Sequence, residues 1–218
     1  MIDIPEVTLI AVTSIEIDKT IERMKKSSEE INFGEIVFVS HEKPANLPSD
    51  FIFRKCEEIK DINVYNKIVF KDLWKYVFYS HCLLIHWDSC VINPSKWENK
   101  WLEYDYIGAP WAIRDDAYIW HRTGEHIRVG NGGFSLRSKK LMNIPRMHDL
   151  PLLEEQGWYN EDGNICIYHR KRMLDLGVNY APVEEAAKFS WEVPVKENFG
   201  IMPFGFHKNP PTYTIAGQ

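Results

Sequence analysis

Apolar and polar positions alternate between two regimes along the first ninety residues. Val7–Thr13, VTLIAVT, is a continuous apolar run ending at Thr-Ser, the pattern of a strand covered on both faces. Ile17–Glu30 has helical spacing with many charges, and Gly34 reads as its stop. Glu35–Ser40, EIVFVS, is a second buried strand, followed by a polar loop with Pro44 and Pro48. Asn63–Tyr79 places Tyr65, Val69, Leu73 and Tyr76 on one side of an amphipathic helix. Cys82–Ile85 is a third short strand, ending at His86-Trp87-Asp88.

Strand, helix, strand, helix, strand predicts an α/β fold with parallel strands and right-handed crossovers. Ligands of such sheets bind outside the carboxyl ends of the strands. Thr13-Ser14, Ser40-His41 and His86-Trp87-Asp88 are therefore candidate contacts on one edge. The second half is less regular. Helices are expected over Trp97–Tyr104, from Ser138 to Met142, and over Asn160–Leu176 with Gly177 as stop. Ile127–Leu136 is strand-like around its glycines, Ala181-Pro182 begins a turn, and Met202–Phe206 is a last short strand. Neither a repeat nor a linker interrupts the chain, so residues 1–218 read as one domain.

A formal net charge of −5 gives nucleic acid no electrostatic footprint to bind. The N-terminal stretch has neither a basic region nor a long apolar run, and nothing approaches the ~20 apolar residues of a bilayer span. A cytoplasmic protein without a transmembrane segment is expected. Cys56, Cys82, Cys90 and Cys166 lack CxxC spacing and read as buried thiols rather than disulfides or zinc ligands. Eight tryptophans suggest a large aromatic core. Trp97, Trp101, Trp111 and Trp120 fall in a polar middle segment where one or two of them, Trp111 foremost, can stack on an acceptor sugar.

Candidate chemistry gathers in four places. In Val129–Arg137, VGNGGFSLR, the missing side chains of Gly130, Gly132 and Gly133 permit close backbone approach to a ligand. The spacing is neither a Walker loop nor GxGxxG. His86 and Asp88, two apart on an extended chain, project to one side and suit a divalent cation that bridges phosphates; alternatively Asp88 caps a turn with Ser89 and His86 is a core histidine. Glu161-Asp162 after Asn160 is either an ordinary acidic helix start or the source of a general base. His207 beside Lys208 is a metal ligand or a surface residue. Lys67, Lys71 and Lys75 line one helix face, from which one of them, Lys67 in particular, can neutralise a diphosphate; Arg114 and Arg137 are weaker candidates for the same task.

Taken in order from residue 9 to 207, the stretches LIAVTS, HWDS, YDYIGAPW, VGNGGFSLRS, NED and PFGFH resemble a family of glycosyltransferases of the GT-A fold. The resemblance implies a single GT-A-like (Rossmann-like) domain, a mixed sheet flanked by helices. It implies a nucleotide-sugar donor, often a UDP-sugar, with Mn2+ or Mg2+ on its diphosphate, and a glycan or other hydroxyl acceptor. Thr13 and Ser14 would lie near the nucleotide base, with His86 and Trp87 on the donor side. Asp88 would take the place of the last acidic residue of the Asp-x-Asp motif, and His207 would be a second metal ligand. Gly132 and Gly133 would border the donor sugar and the acceptor, and Asp162 or Glu161 would be the base. The sequence departs from the motif at His86, which stands where the first carboxylate is expected; imidazole still suits manganese. The resulting expectation is an inverting, metal-assisted glycosyltransferase. Its rivals are a non-catalytic nucleotide-sugar or glycan-binding module and a nucleotidyltransferase.

Overall fold

The computed structural model describes residues 1–113, 119–120 (backbone only), 124–153 and 160–211. Arg114 and the side chain of Trp120 lie outside the described residues. The chain runs β1 (Ile2–Val12), α1 (Ile17–Ser28), β2 (Ile31–Ser40), β3 (Ile52–Lys55) and α2 (Ile62–Lys67), which continues as a π turn and a 3-10 turn to Lys75. Then come β4 (His81–Ile85), β5 (Ser89–Val91), two 3-10 turns, β6 (Tyr106–Gly108), the short pair β7 (Ile119–Trp120) and β8 (Glu125–His126), and β9 (Phe134–Ser138). α3 (Lys139–Met147) and α4 (Glu161–Gly163) follow, the latter running through a π turn into α5 (Arg170–Asp175). α6 (Val183–Phe189), β10 (Ser190–Trp191) and β11 (Gly205–His207) complete the order.

Six strands form one mixed sheet in the order β3-β2-β1-β4-β9-β6, and helices flank it. β1 is parallel to both β2 and β4, β2 is parallel to β3, and β9 is antiparallel to β4 and β6. The unbroken apolar run of β1 has a direct cause. Val7, Leu9 and Ala11 face a core that includes Ile21 and Met24 of α1, while Ile10 and Val12 face one built with Tyr65, Ile68, Val69 and Leu73. Successive side chains of a strand point to opposite faces, so a strand covered on both sides needs apolar residues throughout. A smaller sheet, β10-β11-β5, stands beside the large one; β11 is parallel to β10 and antiparallel to β5. Among the described residues no helix is long and apolar enough to cross a membrane.

Several local expectations need correction. Gly34 does not stop α1; it lies inside β2, where a Cβ would come within 2.2 Å of the Pro5 carbonyl oxygen. β3 and α6 are additional elements. The expected helix at Trp97–Tyr104 is a single 3-10 turn, Asn99–Glu103, preceded by another at Pro94–Lys96. Trp101 of that stretch is fully buried against Phe189 and Phe204, so it is a core residue and not a sugar platform. All four cysteines are free and buried.

Candidate active site

β4 ends at Ile85 and delivers His86 to the carboxyl edge of the sheet. The His86 backbone N–H donates to the Gly133 carbonyl (3.1 Å) and to Ser89 Oγ (2.8 Å). Ser89 returns its own N–H to the His86 carbonyl, which closes a tight turn with Trp87 and Asp88 at its tip. The capping reading of this turn is thus half right: Ser89, not Asp88, ties it. β5 then pairs with β11 so that Ser89 faces His207 across the strands. That register brings His207 to Asp88, with His207 Nε2 3.5 Å from Asp88 Oδ1.

His86, Asp88 and His207 each present one ligand atom, all within 4.8 Å of one another. Asp88 Oδ1 is buried and has no hydrogen bond among the described residues. A buried carboxylate oxygen without a donor is costly unless a cation occupies it. The donor set, one carboxylate and two imidazoles, suits manganese-type divalent ions. Burial opposes a charge on His207, but Asp88 and Glu192 outweigh it and raise its pKa to about 9. Burial and the neighbouring His207 push His86 down to about 4. Burial works against ionised Asp88 as well, yet His207 holds its carboxyl below the usual range.

The glycine block makes room for side chains of the site. A Cβ on Gly133 would lie 2.1 Å from His207 Nε2, and one on Gly132 would lie 1.9 Å from Glu161 Oε1. The space these residues leave open is filled by two side chains of the site itself. Trp111 lies against the same block, its ring stacked where a Gly130 side chain would be.

The two acidic residues divide sharply. Glu161 is buried and accepts from Arg137 Nη2 at 2.6 Å, and Arg137 in turn lies 5.4 Å from the centre of the Tyr106 ring. Such a carboxylate is a structural counter-ion. Glu161→Ala is expected to lower unfolding stability by about 3–5 kcal/mol in denaturant titration, because an uncompensated buried guanidinium remains. Asp162 keeps access to solvent, with Oδ2 accepting the Gly132 N–H (2.9 Å) and Oδ1 the Gly163 N–H (2.7 Å). Burial and then the Glu161 charge raise the Asp162 pKa to about 7. A carboxylate tuned to neutrality is a competent general base.

A cleft of about 340 Å³ opens between the end of β1 and the start of α2, lined among others by Thr13, Ser14, Lys60, Asp61, Tyr65 and Trp87. His86 borders it too, so cleft and cluster are contiguous. Thr13 Oγ1 is engaged with the Ile15 backbone, and Ser14 Oγ accepts the Ile59 N–H at 3.0 Å. Ser14 Oγ also lies 3.1 Å from His41 Nδ1, so both hydroxyls shape the loop that lines the cleft. Lys67 is not at the cleft lining; it pairs with Glu57 at 3.1 Å, while Lys75 pairs with Asp72 and Lys71 reaches the Leu150 carbonyl. The cation that lines the cleft is Lys60.

Three residues at the site were not singled out by their sequence context: Tyr65, bonded to His86, and Asn131 and Glu192, both at His207. Tyr65 was legible only as an apolar-face residue. Glu192 follows Trp191, whose pairing with Phe206 sets it beside His207, a relation that only the strand register reveals.

A family model described as "Protein of unknown function (DUF5672)" matches residues 49–207, more than two thirds of the chain. The protein belongs to the DUF5672 family. The matched span of this DUF5672 member contains His86, Asp88, Glu161, Asp162 and His207, while Thr13 and Ser14 precede it. No curated protein sequence matches the chain. Among solved structures, it is similar to the apo-form glycosyltransferase GlyE of Streptococcus pneumoniae TIGR4, with a TM-score of 0.49 and 14% identity. The likeness covers 94% of this chain and 54% of GlyE, so the chain spans about half the length of that protein.

Proposed function

We propose that this DUF5672 protein is a GT-A-like glycosyltransferase that moves a sugar from a nucleoside-diphosphate sugar, UDP-linked in the first instance, to a hydroxyl acceptor. The observation that carries the reading is the His86–Asp88–His207 cluster at the sheet edge, with a buried Asp88 Oδ1 that makes no hydrogen bond among the described residues, beside a cleft of nucleotide size. Two of the blocks on which the resemblance rests, HWDS and PFGFH, supply the three residues of the cluster. A divalent cation held there would supply positive charge to the diphosphate as it leaves.

The protein's own part is binding and proton transfer. The cleft takes the nucleoside, with Trp87 as an aromatic wall and Lys60 and Asp61 at its polar rim. Asp162, held by the two backbone N–H groups, takes the proton of the acceptor hydroxyl. The acceptor oxygen forms the new bond at the anomeric carbon while the bond to the diphosphate oxygen breaks, and the nucleoside diphosphate departs with that electron pair. One base and one direct displacement give inversion. The same hydrogen bonds that orient Asp162 leave its outer lone pairs open to the acceptor.

A thermal-shift screen with UDP, GDP and dTDP compounds tests the donor class. At a hundredfold excess over Kd, binding to the native state adds about 2.7 kcal/mol. For a chain of this size that raises Tm by roughly 5–10 °C. UDP with Mn2+ is expected to give this rise and UDP with a chelator a smaller one; a flat response to every nucleotide would overturn the reading. Release of nucleoside diphosphate on incubation with the donor then separates a transferase from a binding module, and release of pyrophosphate from a triphosphate would point to a nucleotidyltransferase.

A further inference from the structure

The two imidazoles of the cluster are anchored through different ring nitrogens. His207 turns Nδ1 towards Glu192 Oε1 (3.3 Å) and the Asn131 side-chain amide (3.0 Å), and Nε2 towards Asp88. His86 does the reverse. Its Nε2 is hydrogen-bonded to the Tyr65 hydroxyl, and its Nδ1 makes no hydrogen bond among the described residues. Tyr65 and Glu192 are both about nine-tenths buried, so neither partner is a passing surface contact.

We propose that Tyr65 and Glu192 are positioning residues that assign opposite ring nitrogens to a divalent cation, Nδ1 of His86 and Nε2 of His207. The inference rests on the metal site of the proposed function. A neutral imidazole carries one N–H and one lone pair, and the hydrogen bond made by one nitrogen fixes which is which. An ionised carboxylate can only accept, so Glu192 holds the proton on His207 Nδ1 and frees Nε2. Lys208 Nζ lies 2.5 Å from the same Glu192 oxygen, an ion pair that keeps this carboxylate an acceptor. An Nδ1–H on His207 also offers a donor to the buried Asn131 Oδ1, which has no hydrogen bond, once the amide turns over. At His86 the Tyr65 oxygen accepts Nε2–H and leaves the Nδ1 lone pair to the cation. A hydroxyl can also donate, so Tyr65 enforces its tautomer less strictly than Glu192 does.

Direct titration of the full chain with Mn2+, reading free Mn2+ by electron paramagnetic resonance, tests the assignment without any turnover. Glu192→Ala is expected to weaken Mn2+ about 10–100-fold, Glu192→Gln less, because Gln still accepts the N–H, and Tyr65→Phe about tenfold. Thermal unfolding checks that each variant is folded. In the parent loaded with diamagnetic Zn2+, long-range 1H–15N correlation should show His86 bound through Nδ1 and His207 through Nε2. This second readout holds even if a variant fails to fold. Folded Glu192→Ala and Tyr65→Phe that bind Mn2+ like the parent, while His207→Ala does not, would overturn the positioning roles and leave the metal site standing. The opposite nitrogen on either ring would overturn the assignment. A parent chain that ignores millimolar Mn2+ would remove the metal site and this inference together.

Discussion

Asp88→Asn is expected to remove cation-stimulated sugar transfer, with kcat/KM falling on the order of 10²–10³-fold, the scale of losing one charge contact in a transition state. The substitution is nearly isosteric and the turn that carries Asp88 is tied by Ser89, so the fold should persist. Asp88 Oδ1 is buried and makes no close hydrogen bond, with His207 Nε2 at 3.5 Å as its ionic partner. Turnover and Mn2+ binding should therefore fall steeply, while Tm in chelator falls only slightly, because the Asp88–His207 pair is lost but the turn is kept. Near-parental turnover would show that the cluster is not part of the chemistry.

Asp162→Asn is expected to lower kcat by about 10²–10⁴-fold, with little change in donor affinity. The pH profile sharpens this test. Transfer requires ionised Asp162, whose pKa is raised from 3.8 to about 7, first by burial and then by Glu161. Parental kcat should thus climb as pH rises towards about 7 and level off above it, and the residual activity of Asp162→Asn should lack that inflection. Stability follows the opposite sense. With the folded pKa above the unfolded one, Asp162 favours the fold fully below about 3.8, and this contribution is lost as pH rises through about 7. The base is thus most active where its charge weighs most on the fold. An unchanged pH profile in Asp162→Asn would assign the acidic pair to helix initiation alone.

Local signals carried the reading of the sequence and long-range ones defeated it. Periodicity located β1, α1, β2 and β4, because each pattern is written within one element and both sheet faces demand apolar residues. His86 and Asp88 were legible for the same reason: they follow directly on a buried strand. β3, with half its residues exposed, has no such pattern, and α6 follows a proline that reads equally well as a turn. The glycine block marks a place of close approach, and in the fold the side chains of Glu161 and His207 pack against it. Nothing in nine residues states which distant side chain will fill the gap. Likewise, Glu161 and Asp162 are neighbours of identical charge, and only the position of Arg137 on β9 distinguishes the structural acid from the candidate base.

The pairing of β11 with β5 carries a mechanical consequence. Asp88 and His207 stand at the two ends of a loop that contains most of the second half of the chain, and three short strands hold those ends together. A cation shared between them is a removable cross-link. It would tie β5 to β11 when loaded and let the small sheet breathe when stripped, since only a few strand hydrogen bonds pair these short strands. Amide hydrogens of β5 and β11 should then exchange more slowly in Mn2+ than in chelator, while those of β1 and β2, remote from the clasp, exchange at the same rate in both.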